Sequence, residues 1–199
     1  MIRYDAAAFW LLGKTLVKNL VAIMAALALA ACNRSAEPGK AAEAGKSIAV
    51  ANAGFEQIAG DGSIPGWNTL QHAGPPSYEM VIDTQGAYAG KGSFRITRTR
   101  DQVYGSIKQD VAVGSAVGEW IELSAMVKTK DVGPGGWKLM ILGAKADEFS
   151  PAITGTSDWQ RAKVRVHLPK GVATIAVGAT LLDAGSGWLD DVQLHAVVP

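Results

Sequence analysis

The feature that most constrains this chain is a period-two alternation of apolar and polar residues that recurs from residue 48 onward, with no helical stripe beside it. Between Trp120 and Lys128, Ile121, Leu123, Ala125 and Val127 fall on one side of an extended segment, and Glu122, Ser124, Met126 and Lys128 on the other. Ala162, Val164, Val166 and Leu168 form a second apolar row opposite Arg161, Lys163, Arg165 and His167. Ala173, Ile175, Val177, Ala179 and Leu181 form a third. Successive side chains of a strand point to opposite faces, so each row predicts one buried and one solvated face.

Turns rich in Gly, Pro and Asp separate the alternating segments. They predict strands at Ser77–Asp83, Gly92–Thr99, Tyr104–Val111, Trp120–Thr129, Trp137–Leu142, Trp159–Leu168, Ala173–Leu181 and Trp188–Ala196, with a shorter one near Ile48–Asn52. Eight or nine antiparallel strands in one unit predict an all-β sandwich or jelly roll. Trp137–Leu142 is apolar on both faces apart from Lys138, so it is expected to be central and partly covered. Asp131–Gly136 reads as a tight loop leading into it.

The N-terminus obeys a different logic. Arg3, Lys14 and Lys18 precede the apolar run Leu20–Ala31, which is short for a bilayer span and ends in small residues, as a secretory signal does. Leu29-Ala30-Ala31-Cys32 resembles the bacterial lipobox, whose cysteine is diacylated and begins the mature protein. The blander readings are a cleaved signal that leaves Cys32 a bystander thiol, or a short membrane anchor. Residues 1–31 are therefore expected to be a lipoprotein signal peptide. Residues 32–47, poor in large apolar groups and rich in Ala, Gly and charge, are expected to form a lipidated flexible tether to a membrane, and residues 48–199 the folded domain. By resemblance to lipoprotein sorting, Asn33 rather than Asp after the cysteine implies the outer membrane of a bacterial envelope.

Cys32 is the single cysteine of the 199 residues, so the domain must be held by its core and not by disulfides. From Ile48 onward there are 13 Lys and Arg against 15 Asp and Glu, a balance that argues against nucleic acid as a partner. Enzymatic chemistry has little to stand on. The sequence holds no Gly-x-Ser-x-Gly elbow, no His pair at metal spacing and no phosphate-binding glycine loop before a helix. His72, His167 and His195 are scattered, and nothing selects a carboxylate pair among Glu79, Asp83, Glu119 and Glu122 for glycoside hydrolysis.

Two adjacent acids, Asp190 and Asp191, interrupt the final strand segment Trp188–Leu194. A carboxylate taken into a sheet needs a cation or hydrogen-bond donors, because an unpaired buried charge costs several kcal/mol (roughly) or protonates. Far upstream, Asn52-Ala53-Gly54-Phe55-Glu56 opens the folded region. If the first and last strands lie side by side, Glu56 and Asp190 or Asp191 can share one hard cation, for which oxygen ligands suit calcium better than zinc.

The motifs Asn52–Glu56, Ile64-Pro65-Gly66-Trp67, Gly90–Ile96, Gly105–Val111, Leu123–Lys128, Ser157-Asp158-Trp159 and Gly187–Leu194 follow one another in this order. Together they resemble the calcium-containing jelly-roll carbohydrate-binding modules, galactose-binding-like, that accompany xylanases and β-glucanases. The resemblance implies a structural calcium held by Glu56 and the first acid of the pair, Asp190, with backbone oxygens near Gly54 and Lys91. It also implies that Trp67, Trp159 and Trp188 are core residues.

Sugar recognition needs aromatic faces for the C–H side of a pyranose and polar groups for its hydroxyls. Trp120, Trp137, Tyr78, Tyr88 and Tyr104 remain for the first role. Trp137 and Tyr104 are the expected ring contacts, with Arg161 and Gln109 as polar neighbours; Arg165, Lys108 and Glu122 share the outward rows. The expected function is non-catalytic binding of a polysaccharide or oligosaccharide by an envelope-anchored lipoprotein. The competing expectation is a structural or protein-interaction lipoprotein, with an envelope protein as partner, that uses the same fold without a sugar site.

Overall fold

The computed structural model describes residues 45–145 and 147–198. The expected signal peptide, Cys32 and most of the expected tether lie outside the described residues. Ten strands follow in order: β1 (Ser47–Ile48), β2 (Asn68–Gln71), β3 (Tyr78–Asp83), β4 (Ser93–Arg98), β5 (Gly105–Ala112), β6 (Trp120–Leu142), β7 (Glu148–Phe149), β8 (Ile153–His167), β9 (Thr174–Leu181) and β10 (Ser186–Val197). Every pairing is antiparallel, and one 3-10 turn at Gly114–Ala116 is the only helical element among the described residues. The fold is the all-β jelly roll that the alternation predicts.

The two layers share a strand. The first half of β6 pairs with β8 on one side and β10 on the other, and β10 continues to β4, β3 and β1, giving a back sheet. The second half of β6 pairs with β9 and β7, and β9 continues to β5 and β2, giving a front sheet. The expected loop Asp131–Gly136 is therefore a bend inside one strand. Register shifts along the β6–β8 ladder at Val127, Thr129 and Val132 turn the strand, and Asp131 (φ 54) and Gly136 (φ 82) take left-handed conformations in the bend. At Gly133 an added Cβ would lie 2.4 Å from the Asp183 carboxyl carbon, so the bend is shaped for glycine.

Between the layers the predicted apolar rows interlock. Ile121, Leu123, Ala125 and Val127 are buried, as are Ala162, Val164, Val166 and Leu168, and Ile175, Val177, Ala179 and Leu181. Ala173 alone of the predicted rows is exposed, because it precedes the strand. Trp137 sits in this core with no solvent exposure, its Nε1 donating to the Trp188 carbonyl at 3.0 Å. Its ring lies flat on the backbone of Gly187, where a Cβ would come within 2.6 Å of the indole. A large ring thus fits against a strand that has no side chain at the point of contact.

Candidate functional site

Two places stand out as sites: an open groove on the front sheet and, at the edge of the back sheet, an acid cluster in which Asp190 is buried and Glu56 exposed. The groove forms on the outward face of the front sheet, whose cross-strand rows can be read from the register. One row runs Leu70, Ser106, Thr180, Lys138; the next runs Asn68, Lys108, Gly178, Met140, Phe149. Five strands about 4.8 Å apart make this face roughly 19 Å wide, room for several pyranose rings.

Within it lies a depression of about 350 Å³, with Leu70, Met140 and Leu142 on its apolar floor and Ser106, Lys108 and Thr180 as polar groups. The rings of Tyr104 and Phe149 also line it. Phe149 is 45% exposed, and Tyr104 stands edge-on to His72 with ring centroids 5.7 Å apart. Gly178 keeps the middle of the face low. An added Cβ there would lie 2.0 Å from the Ile107 carbonyl oxygen, so no side chain can rise at this point without displacing β5.

Of the four residues expected to contact sugar, the structure places only Tyr104 in the groove. Trp137 is a correction: it is core, since the odd positions of the second half of β6 face inward and the even ones, Lys138, Met140 and Leu142, face the groove. Gln109 is a second correction. It is buried and bridges the chain start, accepting from Ala51 N at 2.7 Å and donating Nε2 to Ala51 O at 3.0 Å. Arg161 lies on β8 in the back sheet, where its guanidinium pairs with the Asp191 carboxylate.

Phe149, Leu70 and Met140 went unselected by the sequence reading. The signal for Met140 and Leu142 was present, because a strand apolar on both faces must have a second face that something else touches. The two-residue β7 that carries Phe149 is too short for any periodicity to show.

The acid cluster has a different construction. Asp190 is 1% exposed; its Oδ2 accepts from Tyr88 N (3.0 Å) and Ala89 N (3.1 Å), and its Oδ1 from Asp191 N (2.7 Å). Glu56 accepts from Lys91 N at 2.9 and 3.1 Å through its two oxygens. Gly54 is wedged between the two acids, with a hypothetical Cβ 3.8 Å from Asp190 Oδ1 and 3.9 Å from Glu56 Cγ. Gly54, Glu56, Lys91 and Asp190 therefore meet in one place.

A register shift between Asp190 and Gln193 separates the acid pair. It puts Asp191 at φ 45 and sends its side chain to Arg161 and Gln193. Burial pushes the Asp190 carboxyl above its ordinary value, against the lowering effect of its three N–H donors, and the Asp191 charge adds to the rise. Asp191 is itself partly desolvated, but hydrogen bonds from Arg161 and Gln193 bring its carboxyl below the ordinary value.

Asp190 thus has hydrogen-bond donors but no cationic side chain among the described residues, whereas Asp191 has one. A hard cation at this point would supply the counter-charge that the described side chains do not. No cluster of three or more His, Cys, Asp or Glu exists among the described residues, so such a cation would rest on two carboxylates and backbone oxygens.

No family model matches the chain. Among curated proteins it is 28% identical over 142 residues to an uncharacterized HTH-type transcriptional regulator, YbfP of Bacillus subtilis, a match covering 66% of this chain and 48% of that protein. The chain thus spans about half the length of the curated relative it matches. Among solved structures it resembles the CBM22-1 xylan-binding domain from Paenibacillus barcinonensis Xyn10C, with a TM-score of 0.52 and 18% identity over 80% of this chain and 99% of that one. It also resembles TmCBM61 in complex with β-1,4-galactotriose, at 0.54 and 14% over 75% and 98%. The enzymatically active domain of bacteriophage CBA120 tailspike protein 4 gives 0.59 and 12% over 75% of this chain but 21% of that one. At these identities the likeness is one of fold, a jelly roll that this chain has in common with the two carbohydrate-binding modules and with part of the tailspike domain.

Proposed function

We propose that this protein binds a polysaccharide or oligosaccharide non-catalytically in the groove of the front sheet. The observation that carries the reading is the groove itself: an apolar floor, the partly exposed rings of Tyr104 and Phe149, the Lys108 amine and, at the bottom, the Ser106 and Thr180 hydroxyls, on a fold shared with a xylan-binding domain and a module solved with β-1,4-galactotriose. Tyr104 and Phe149 would stack on the C–H faces of the sugar, while Ser106, Lys108 and Thr180 would meet its hydroxyls.

A calcium ion held by Glu56 and Asp190, with backbone oxygens of Gly54 and Lys91 as further ligands, would stabilise the edge of the back sheet and take no part in chemistry. Diacylation at Cys32 would hold the module at the bacterial envelope, in the outer membrane. There it could concentrate glycan at the cell surface or serve a separate enzyme.

Titration of the full chain with xylohexaose and with β-1,4-galactotriose, followed by calorimetry, tests the binding. Saturable binding that falls about tenfold or more in the Tyr104→Ala and Phe149→Ala variants supports the groove. Binding that both variants leave unchanged would place the sugar elsewhere, and no binding by either glycan would return the protein-interaction role to first place.

A further inference from the structure

The outer face of the back sheet carries a second set of groups suited to a sugar, and the groove reading uses none of them. Trp159, expected in the core, stands on this face instead. The register shift on the β6–β8 ladder between Val127 and Thr129 falls beside it, and its indole is left half-buried against Tyr88, with ring centroids 5.9 Å apart and planes inclined by 59°. Tyr88 is 47% exposed, on the loop whose amides hold Asp190. An aromatic pair left this open forgoes much of the hydrophobic stabilisation that its area could give.

Polar groups with planar geometry stand next to the rings. Arg161, two residues along β8, pairs with Asp191, which also takes two hydrogen bonds from Gln193 Nε2 at 3.0 and 3.1 Å. Asp191 reaches this position only through its left-handed backbone in the bulge, a conformation that costs a non-glycine residue about 1 kcal/mol or more. On the other side, Asp158 leads into a depression of about 600 Å³ floored by Trp188. The Trp188 ring is fixed by its Nε1–H donating to Asp83 at 2.8 Å and by the Lys128 ammonium 5.4 Å from its centroid. Lys128 and Lys130 are balanced in this depression by Asp131 and Asp158, which disfavours a strongly charged ligand.

We propose that the outer face of the back sheet is a second saccharide-binding site, in which Trp159 and Tyr88 offer ring faces to a neutral oligosaccharide. Arg161, Asp191 and Asp158 meet its hydroxyls, and the depression over Trp188 seats the neighbouring ring. Because the two sites lie on opposite faces, one molecule can join two glycan strands, and its hold on a polymer exceeds its hold on a short oligosaccharide.

The experiment is a two-dimensional NMR titration of the full chain, following the Trp159 and Trp188 indole N–H resonances with xylohexaose, cellohexaose and β-1,4-galactotriose. At least one probe is expected to shift Trp159 saturably, and to do so equally in a Tyr104→Ala/Phe149→Ala double variant that disables the groove. Trp159→Ala and, on the exposed loop, Tyr88→Ala are each expected to weaken this second event about tenfold. A Trp159 resonance that stays fixed with all three probes overturns the proposal, whether or not the groove binds. A shift that disappears in the groove double variant overturns it as well.

Discussion

The groove and the Gly54–Asp190 cluster treat their polar groups in opposite ways. In the groove, Lys108 is partly exposed, while Ser106 and Thr180 are buried at the floor beside apolar side chains and Thr180 Oγ1 donates to Gly105 O at a long 3.4 Å. In the cluster, one carboxylate with 1% exposure collects three backbone amides from two separate segments, and the end of the chain is tied to the loop after β3 through it. The contrast separates two kinds of constraint. A recognition face needs side chains that are not committed to strong internal hydrogen bonds; a structural joint gains from each one that its carboxylate accepts.

The largest effect that would test this contrast is expected at Asp190. Asp190→Ala leaves three part-buried amides without their acceptor and should cost roughly 2 kcal/mol in denaturant unfolding. A cost below about 1 kcal/mol would mean that water or a neighbour replaces the carboxylate, and that the joint is not one. Next comes Gly178→Ala in the groove, where the Cβ would strike the Ile107 carbonyl. Displacement of β5 should cost about 2 kcal/mol and also weaken glycan binding, whereas an unaffected stability would show that the sheet yields easily there.

Calcium sharpens the comparison through pH. Burial raises the Asp190 carboxyl, so the folded state holds that proton more firmly than the unfolded chain does. Its stabilising contribution is complete below the unfolded value and is lost as pH rises through the raised folded value. A bound cation offsets the cost of the ionised form. The rise in unfolding midpoint on adding calcium should therefore be larger at neutral pH than near the ordinary carboxylate value of 3.8. At a hundredfold excess over the dissociation constant it should correspond to about 2.7 kcal/mol. A calcium effect equal at both pH values would remove Asp190 from the ligand set. The smallest effect on stability is expected from Phe149→Ala, within about 1 kcal/mol because the residue is 45% exposed on a two-residue strand, while its effect on groove affinity should be near tenfold.

Much of the fold was legible because alternation is a local signal. Ile121, Leu123, Ala125 and Val127 announced their burial without reference to anything else in the chain. That Glu56 and the acid pair belong near one another follows from the partner that an acid in a strand demands, whereas Gly54 and Lys91 came in only through the resemblance to carbohydrate-binding modules. Register was harder to read. Whether Trp137 or Lys138 faced the groove depended on which half of β6 pairs with β9, and no residue within the strand states that. Trp159 was assigned to the core by its place in a motif, while the shifts between β6 and β8 that set its facing arise from the pairing of two distant segments. The bend at Asp131–Gly136 looked like a loop because glycines and a proline disfavour strand, and the ladder on both sides of it prevailed over that local preference.

The short pairing of β1 with β10 has a mechanical consequence. Only Ser47 and Ile48 lie in register with His195 and Leu194, supported by Ala196 N donating to Lys46 O at 2.9 Å. Tension applied at the N-terminal end of the described residues enters through this two-residue zipper, which opens one pair at a time and resists little. The load then meets the Gln109 side chain, which holds Ala51 N and O at 2.7 and 3.0 Å, and behind it Val192 N donating to Ala53 O at 3.0 Å and Phe55 packed on Trp67, next to Gly54 and Asp190. Pulling the chain from its N-terminus should give a small early yield followed by a distinct force peak, and Asp190→Ala should lower the peak and leave the early yield where it was.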